Sequence, residues 1–253
     1  MNFARIQFRP LSGIVNDEGV EEIQSLLGDL RRNGNTLGGD RLIRADDKVT
    51  AYVTMPEASS LEESNLNSRV EQILERIMKH NEYGHCVLAT VADESSPCSC
   101  HQSALLVFTT FLTAAPPLCC LDCLGYVPLY RIPPEESLDY SGLLSWEASY
   151  QACDTLQMHC RVGEKFGVRE MSNLNSKLSK DGRSTCSSIE KRTGKPTYYY
   201  LYRAEGRSLR LENERKCPNC GGEWILDENS RLKFIDFRCD RCRLVSNIGF
   251  GVR

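Results

Sequence analysis

Cys217-Pro218-Asn219-Cys220-Gly221-Gly222, answered by Cys239-Asp240-Arg241-Cys242, places two Cys-x-x-Cys pairs eighteen residues apart. Each pair bends the backbone so that two sulfurs sit about 3.8 Å apart, the edge of a tetrahedron with metal–sulfur bonds near 2.3 Å. The spacing is that of a four-thiolate zinc site. The residues between supply a hairpin: Gly222 to Leu226 alternates as a strand, Asp227-Glu228-Asn229-Ser230 is a turn, and Leu232 to Phe237 returns. The reading is a zinc ribbon with Cys217, Cys220, Cys239 and Cys242 as ligands. Protein groups fill all four positions, so this Zn2+ has no open site for water or substrate and is structural. The competing reading is a pair of disulfides. Thiolate ligation contributes an apparent ~10–16 kcal/mol in small zinc domains, which replaces the core that so short a segment cannot bury.

Outward from the ribbon, the charge changes sign. Residues 1–160 hold 11 Lys and Arg against 22 Asp and Glu, whereas residues 161–253 hold 20 against 12, so the net −3 divides into −11 and +8. An acidic body with a basic end implies two faces with different partners, or a docking between them. The N-terminus, Met1 to Phe8, has no apolar run of signal-peptide length, and no stretch reaches the ~18 apolar residues of a membrane span. Thirteen cysteines, an odd number, in such a chain fit a reducing cytoplasm and no membrane.

The first ninety residues alternate in type. Phe3, Ile6 and Phe8 mark a strand, and Val20, Ile23, Leu27 and Leu30 share a helical face. Leu42–Arg44 and Val49–Thr54 form a hairpin around Asp46-Asp47. Leu66, Val70, Ile73, Leu74 and Ile77 trace a second helix, and Cys86–Val91 a strand. The order is βαββαβ, the ferredoxin-like pattern. The expected organisation is α+β: a ferredoxin-like domain at 1–92, a cysteine-containing α+β region at 93–202 and the ribbon at 203–253. The segment from Ala92 to Pro117 opens with polar turn residues and then runs apolar through Leu105-Leu106-Val107-Phe108, as core.

A third pair, Cys120-Leu121-Asp122-Cys123, is half a metal site. Its partners are to be sought among Cys98, Cys100, His101, Cys119, Cys153, His159 and Cys160. Cys153 and Cys160 stand seven apart in a helix running from Trp146 to Cys160, about 10.5 Å between Cα atoms at 1.5 Å per residue, too far for one zinc. Either the helix breaks or at most one is a ligand. The favoured reading leaves these cysteines in the core with Trp146, Tyr150 and Leu156. A thiol enzyme would pair Cys123 or Cys153 with His85 or His159, but no local signature supports it.

Further on, Cys186 to Pro196 is a short helix stopped by Gly194 and Pro196. Thr197-Tyr198-Tyr199-Tyr200-Leu201-Tyr202-Arg203 is a strand, turning at Ala204–Arg207 into a return through Ser208–Leu211. On it Tyr198, Tyr200 and Tyr202 share a face. Beside Arg207, Arg210, Arg215, Lys216, Arg241 and Arg243 they are candidates to stack bases while the cations hold phosphates; sheet packing is the competing role.

Cys120–Cys123 with Val127-Pro128-Leu129-Tyr130-Arg131, Tyr150-Gln151-Ala152-Cys153-Asp154, the tyrosine strand from Pro196 to Arg203 and the Cys-Pro-x-Cys-Gly-Gly ribbon together resemble an uncharacterised bacterial family of zinc-ribbon-containing proteins. The resemblance spans about residues 105–253 and implies the ribbon ligands and a candidate nucleic-acid-binding role. Cys98, Cys100 and Cys119 are additions to that pattern. Two function classes follow: a nucleic-acid-binding protein working through its basic third, and a protein-binding module such as an immunity or antitoxin-type protein whose acidic body covers a basic, toxin-like partner. No catalytic constellation is evident, so an enzyme ranks third.

Overall fold

The computed structural model describes residues 1–252 apart from 92–95, 135–138, 228–229 and 231. Glu228 and Asn229 of the expected ribbon turn, and the polar start of the 92–117 segment, therefore lie outside the described residues. The chain folds as α+β, with two sheets in two compact units: Met1–Ser99 with Ala114–Pro116 and Gly125–Ser141, and Cys100–Thr113 with Pro117–Leu124 and Gly142–Arg253. Most of the expected middle region falls in the same unit as the 203–253 segment, but Ala114–Pro116 and Gly125–Ser141 fall in the first. Among the described residues no helix is long and apolar enough to cross a membrane.

The first unit has the order β1 (Asn2–Pro10), α1 (Asp17–Arg32), β2 (Arg41–Arg44), β3 (Val49–Met55), α2 (Ser68–Met78) and β4 (Asn81–Thr90). The strands lie β2-β3-β1-β4, each neighbouring pair antiparallel. Asn16 caps α1 by accepting from the Gly19 N–H, and Asn67 caps α2 by accepting from Val70, each satisfying a donor that the first helical turn leaves open. Ile23, Leu26, Leu27 and Leu30 of α1 and Val70, Ile73 and Ile77 of α2 are buried. They join Ile6 and Phe8 of β1 and Val49, Ala51, Val53 and Met55 of β3 in one core. The period-two alternation of β1 places Arg5, Gln7 and Arg9 opposite that core.

In the second unit, β5 (Leu105–Val107), β6 (Leu118–Cys120), β7 (Thr197–Leu201), β8 (Phe237–Cys239) and β9 (Leu244–Ser246) form a sheet ordered β6-β5-β7-β9-β8. The three inner strands are parallel, and each edge strand runs antiparallel to its neighbour. The helices are α3 (Ser141–Met158), α4 (Glu164–Ser172), α5 (Lys177–Thr193) and α6 (Leu209–Asn213). Three expectations change here. The short helix at 186–196 is the end of α5, which starts ten residues earlier at its N-cap Ser176 and stops at Gly194 in the left-handed region, φ 68°. The tyrosine strand does not turn back through Ser208–Leu211: those residues open α6, capped by Ser208, and β7 is instead the central strand of the sheet. A central parallel strand is covered on both faces, which is why all five residues of β7 are buried. The ribbon's expected long hairpin is reduced to the bridges Ile225–Phe237 and Leu232–Ile235, while β8 pairs with β9 around the second cysteine pair.

Candidate metal centres

Two groups of four cysteines each bring one sulfur per residue within 4.8 Å of all the others: Cys217, Cys220, Cys239 and Cys242, and Cys98, Cys100, Cys120 and Cys123. The ribbon group is built from two tight turns. Cys217 N–H donates to Gly222 O and Gly221 N–H to Cys217 O, both at 2.9 Å, and Gly221 takes φ 69°. In the second turn Cys242 N–H donates to Cys239 O at 3.2 Å, and the residue after Cys242, Arg243, takes φ 51°. A left-handed residue after the second cysteine turns the chain away so that both sulfurs face one point. Glycine accepts that conformation without strain, and arginine does not.

Cys220 Sγ and Cys239 Sγ are 3.7 Å apart, and Asn219 Nδ2 donates to Cys242 Sγ at 3.2 Å. The Gly222 N–H and then the Cys242 and Cys239 sulfurs pull the Cys220 thiol down to about 7, while burial pushes Cys239 up to about 12. Four sulfurs this close cannot all ionise by themselves. A divalent cation would supply the opposing charge, and a donor set of four cysteine sulfurs within 4.8 Å of one another fits zinc.

The side chains expected at a nucleic-acid surface divide. Tyr198 and Tyr200 are 1% and 5% exposed, so neither presents a face for a base; burial in the central strand corrects that expectation. Tyr198 instead supports the second cysteine turn: its hydroxyl donates to Asp240 Oδ1 at 2.6 Å and accepts from Arg238 Nη2 at 3.0 Å, and Asp240 lies between Cys239 and Cys242. Tyr200 donates to Asn247 Oδ1 and sits edge-on to Phe108 and Phe234. Tyr202, half-buried, tilts against Phe250.

Arg215 is a core cation, not a phosphate contact. Its guanidinium lies 4.2 Å from the Phe237 ring centroid and 5.2 Å from that of Trp224, and Nη2 donates to Asn247 O. Burial lowers its pKa to about 10. Arg243 grips Glu190 through Nε and Nη2 and donates from Nη1 to Asp240 O, tying the second turn to α5. Lys216 is exposed but ion-paired with Glu223, and Arg207, Arg210 and Arg241 are exposed, Arg210 within 3.9 Å of Glu214.

For Cys120 and Cys123 the sequence reading ranked a second metal site below none; the fold brings Cys98 and Cys100 beside them in a group that could hold a metal ion. Cys100 Sγ lies 3.5 Å from Cys120 Sγ. Leu124 N–H donates to Cys120 O at 2.9 Å, and Leu124 takes φ 58°, the same turn as at Cys217–Gly221. Cys119 points away into an apolar cluster with Tyr198 and Ile235, and burial raises its thiol to about 12. His101, Cys153, His159 and Cys160 belong to neither group. The α3 helix ends at Met158, with Cys160 beyond it at φ 50°, and of the two alternatives left by the seven-residue spacing, a broken helix or at most one ligand, both are met, since neither cysteine joins a group. The sequence offered a signal for the second group in Cys98-x-Cys100 ahead of Cys120-x-x-Cys123, but only the pairing of β5 with β6 closes the gap between them.

Fold and site define an α+β protein with two four-cysteine groups. The chain belongs to the same family as a Haemophilus influenzae protein titled "Uncharacterized protein", 32% identical over 237 residues and covering 90% of each chain. A second "Uncharacterized protein" of that organism is 41% identical over 146 residues, 58% of this chain and 71% of its own. Three family models, each described as a domain of unknown function, match residues 1–84 (DUF8589), 99–202 (DUF2310) and 206–251 (DUF8594). No solved structure matches.

Proposed function

We propose that the protein is a non-enzymatic zinc-ribbon binding protein, with Zn2+ at Cys217, Cys220, Cys239 and Cys242 as a structural ion. The observation that carries this is the convergence of four sulfurs from two turns of matching backbone. Full protein ligation leaves the ion no exchangeable position, so its contribution is to hold the ribbon against the sheet. The βαββαβ order and the β2-β3-β1-β4 arrangement support a ferredoxin-like reading of the first unit. A catalytic cysteine would need a lowered pKa; Cys153 has the reverse, raised by burial and then by Glu170 and Asp154.

Nucleic acid is the proposed partner. Arg207, Arg210, Lys216 and Arg241 are exposed on and beside the ribbon, and with Tyr198 and Tyr200 committed to the core the contact is electrostatic. Binding to duplex DNA should weaken with a log–log salt slope of about −0.9 per phosphate neutralised. Alanine at Arg207 and Arg241 together should flatten that slope by about two of those increments, read by fluorescence anisotropy at several salt concentrations. No binding at micromolar protein in low salt overturns the nucleic-acid reading. The second reading, a protein partner, is favoured by the −11 balance of residues 1–160 and would emerge as capture of a basic protein. Thirteen cysteines without a disulfide support a reducing, cytoplasmic setting.

A further inference from the structure

The five-stranded sheet of the second unit ends at both edges in strands of only three residues, β6 and β8. Edge strands this short bring few backbone hydrogen bonds, and each needs something more than its ladder to stay in place. Both have the same ending: Cys120 is the last residue of β6 and opens Cys120-Leu121-Asp122-Cys123, and Cys239 is the last residue of β8 and opens Cys239-Asp240-Arg241-Cys242. Because β6 and β8 each run antiparallel to parallel inner strands, the two turns emerge at the same end of the sheet, on opposite edges.

The resemblance extends to the backbone. Leu124 and Arg243, the residues that follow Cys123 and Cys242, both occupy the left-handed region, at φ 58° and 51°. Each costs a non-glycine residue roughly 1–2 kcal/mol, so two independent occurrences at the same place in the turn indicate a shared constraint. The middle of each turn is tied by an acidic residue, the third of the four in Cys120–Cys123 and the second in Cys239–Cys242. Asp122 accepts from Ser103 N–H at 2.7 Å and Ser103 Oγ at 2.6 Å, as Asp240 accepts from Tyr198. Gly125, next to Leu124, has no room for a side chain: a Cβ there would lie 2.9 Å from the backbone of Cys98, whose N–H donates to Tyr126 O at 2.9 Å. The chain around Cys98 is thus held where its sulfur joins those of Cys100, Cys120 and Cys123 within 4.8 Å.

We propose that Cys98, Cys100, Cys120 and Cys123 bind a second structural zinc ion, so that each edge of this sheet is pinned by one four-thiolate centre. Binding releases the thiol protons to solvent and forms four Zn–S bonds with no redox change. Cys98 and Cys120 are buried and Cys100 and Cys123 exposed, the same alternation of inner and outer ligand as in the ribbon, where Cys217 and Cys239 are buried. The exposed half makes this the centre from which a chelator removes zinc first.

The test is metal content of the full-length chain purified without chelator, by elemental analysis, in four forms: unaltered, Cys123→Ser, Cys239→Ser and both together. About two zinc ions per chain are expected, falling to about one in each single variant and to near none in the double. Cys239→Ser reports on the ribbon and Cys123→Ser on this site, so the two assignments fail separately. One zinc per chain in the unaltered protein, unchanged by Cys123→Ser, overturns the proposal, as does iron with acid-labile sulfide in place of zinc. Should Cys123→Ser not fold, cobalt loaded into the Cys239→Ser protein provides the second measurement. Sulfur-to-cobalt charge-transfer bands are expected there and should vanish on adding Cys100→Ser; bands that survive that change overturn the proposal.

Discussion

Glu212 is 2% exposed and yet ionised, because three donors converge on it. Arg203 Nη2 reaches Oε1 at 2.7 Å with Nε behind it, and Gly249 N–H reaches Oε2 at 3.2 Å. Burial opposes the charge, but the Arg203 hydrogen bonds, the Gly249 N–H and the field of Arg215 outweigh it and hold the carboxyl below its ordinary value. A depressed folded pKa gives stability that is complete above the unfolded value of about 4.3 and is lost as pH falls through the folded one. Glu212→Gln should cost about 2 kcal/mol at neutral pH, since it leaves donors of Arg203 and Gly249 without their charged acceptor. The same change should flatten the loss of stability below about pH 4. Urea denaturation across pH measures both; an acid limb as steep as that of the unaltered protein would reject the assignment. This carboxylate was not legible in the sequence, where Glu212 is one acid among many in a basic stretch. Its partners lie at positions 203, 215 and 249, and only the return of β9 beside β7 assembles them.

At the scale of elements, α5 lies against β7 because Gly182 lets it. A Cβ at Gly182 would lie inside van der Waals distance of the Tyr199 ring and 2.6 Å from Trp146 Nε1. Gly182→Ala gains helix propensity of about 1 kcal/mol at an ordinary helical position. Here the helix must move off the sheet, at a cost of about 1–3 kcal/mol for overpacking, so the net effect is destabilising. Thermal unfolding should show a lower Tm, with zinc content unchanged because neither cysteine group touches Gly182. An equal or higher Tm would show that the helix slides without penalty. The helix itself was partly legible: Gly194 and Pro196 marked its end, as Lys191 and Arg192 suit a C-terminus. Its start was not, because Lys177–Arg183 is polar and carries no apolar stripe, and the signal that decides it is the cap at Ser176, which accepts from Ser179 N–H at 3.1 Å.

For the whole molecule, the proposed metal centres would make the two units depend on different forces. The first has a sixteen-residue apolar core and four strands of four to ten residues. In the second unit, two of five strands are three-residue edges that end in cysteines. Excess chelator with a mild denaturant should therefore expose the second unit while leaving the first protected. Hydrogen exchange read by mass spectrometry should show faster exchange at residues 118–120 and 237–246 after zinc removal, with β1 and β3 unaffected. Uniform loss of protection in both units would contradict this division.

The order of elements in the first unit was readable from periodicity because its helices and central strands carry regular apolar positions: Val70, Ile73 and Ile77 repeat at helical spacing, and Ile6 and Phe8 alternate with Gln7 and Arg9. The grouping of Cys217, Cys220, Cys239 and Cys242 was readable for another reason, that a Cys-x-x-Cys turn is local and eighteen residues cannot carry the second pair far from the first. What only the tertiary structure decided were the long-range relations. Tyr198 and Tyr200 carry the composition of a stacking platform, yet parallel pairing with β5 and β9 puts their strand at the centre of the sheet, where packing buries both of its faces and gives Tyr198 to the second cysteine turn as a brace. Cys98 and Cys100 precede Cys120 by some twenty residues of mixed sequence, and their convergence depends on the antiparallel return of β6 along β5. Local chemistry is written in neighbouring residues; which face of a strand is free, and which distant thiols meet, is fixed by burial and strand order, and these belong to the folded chain as a whole.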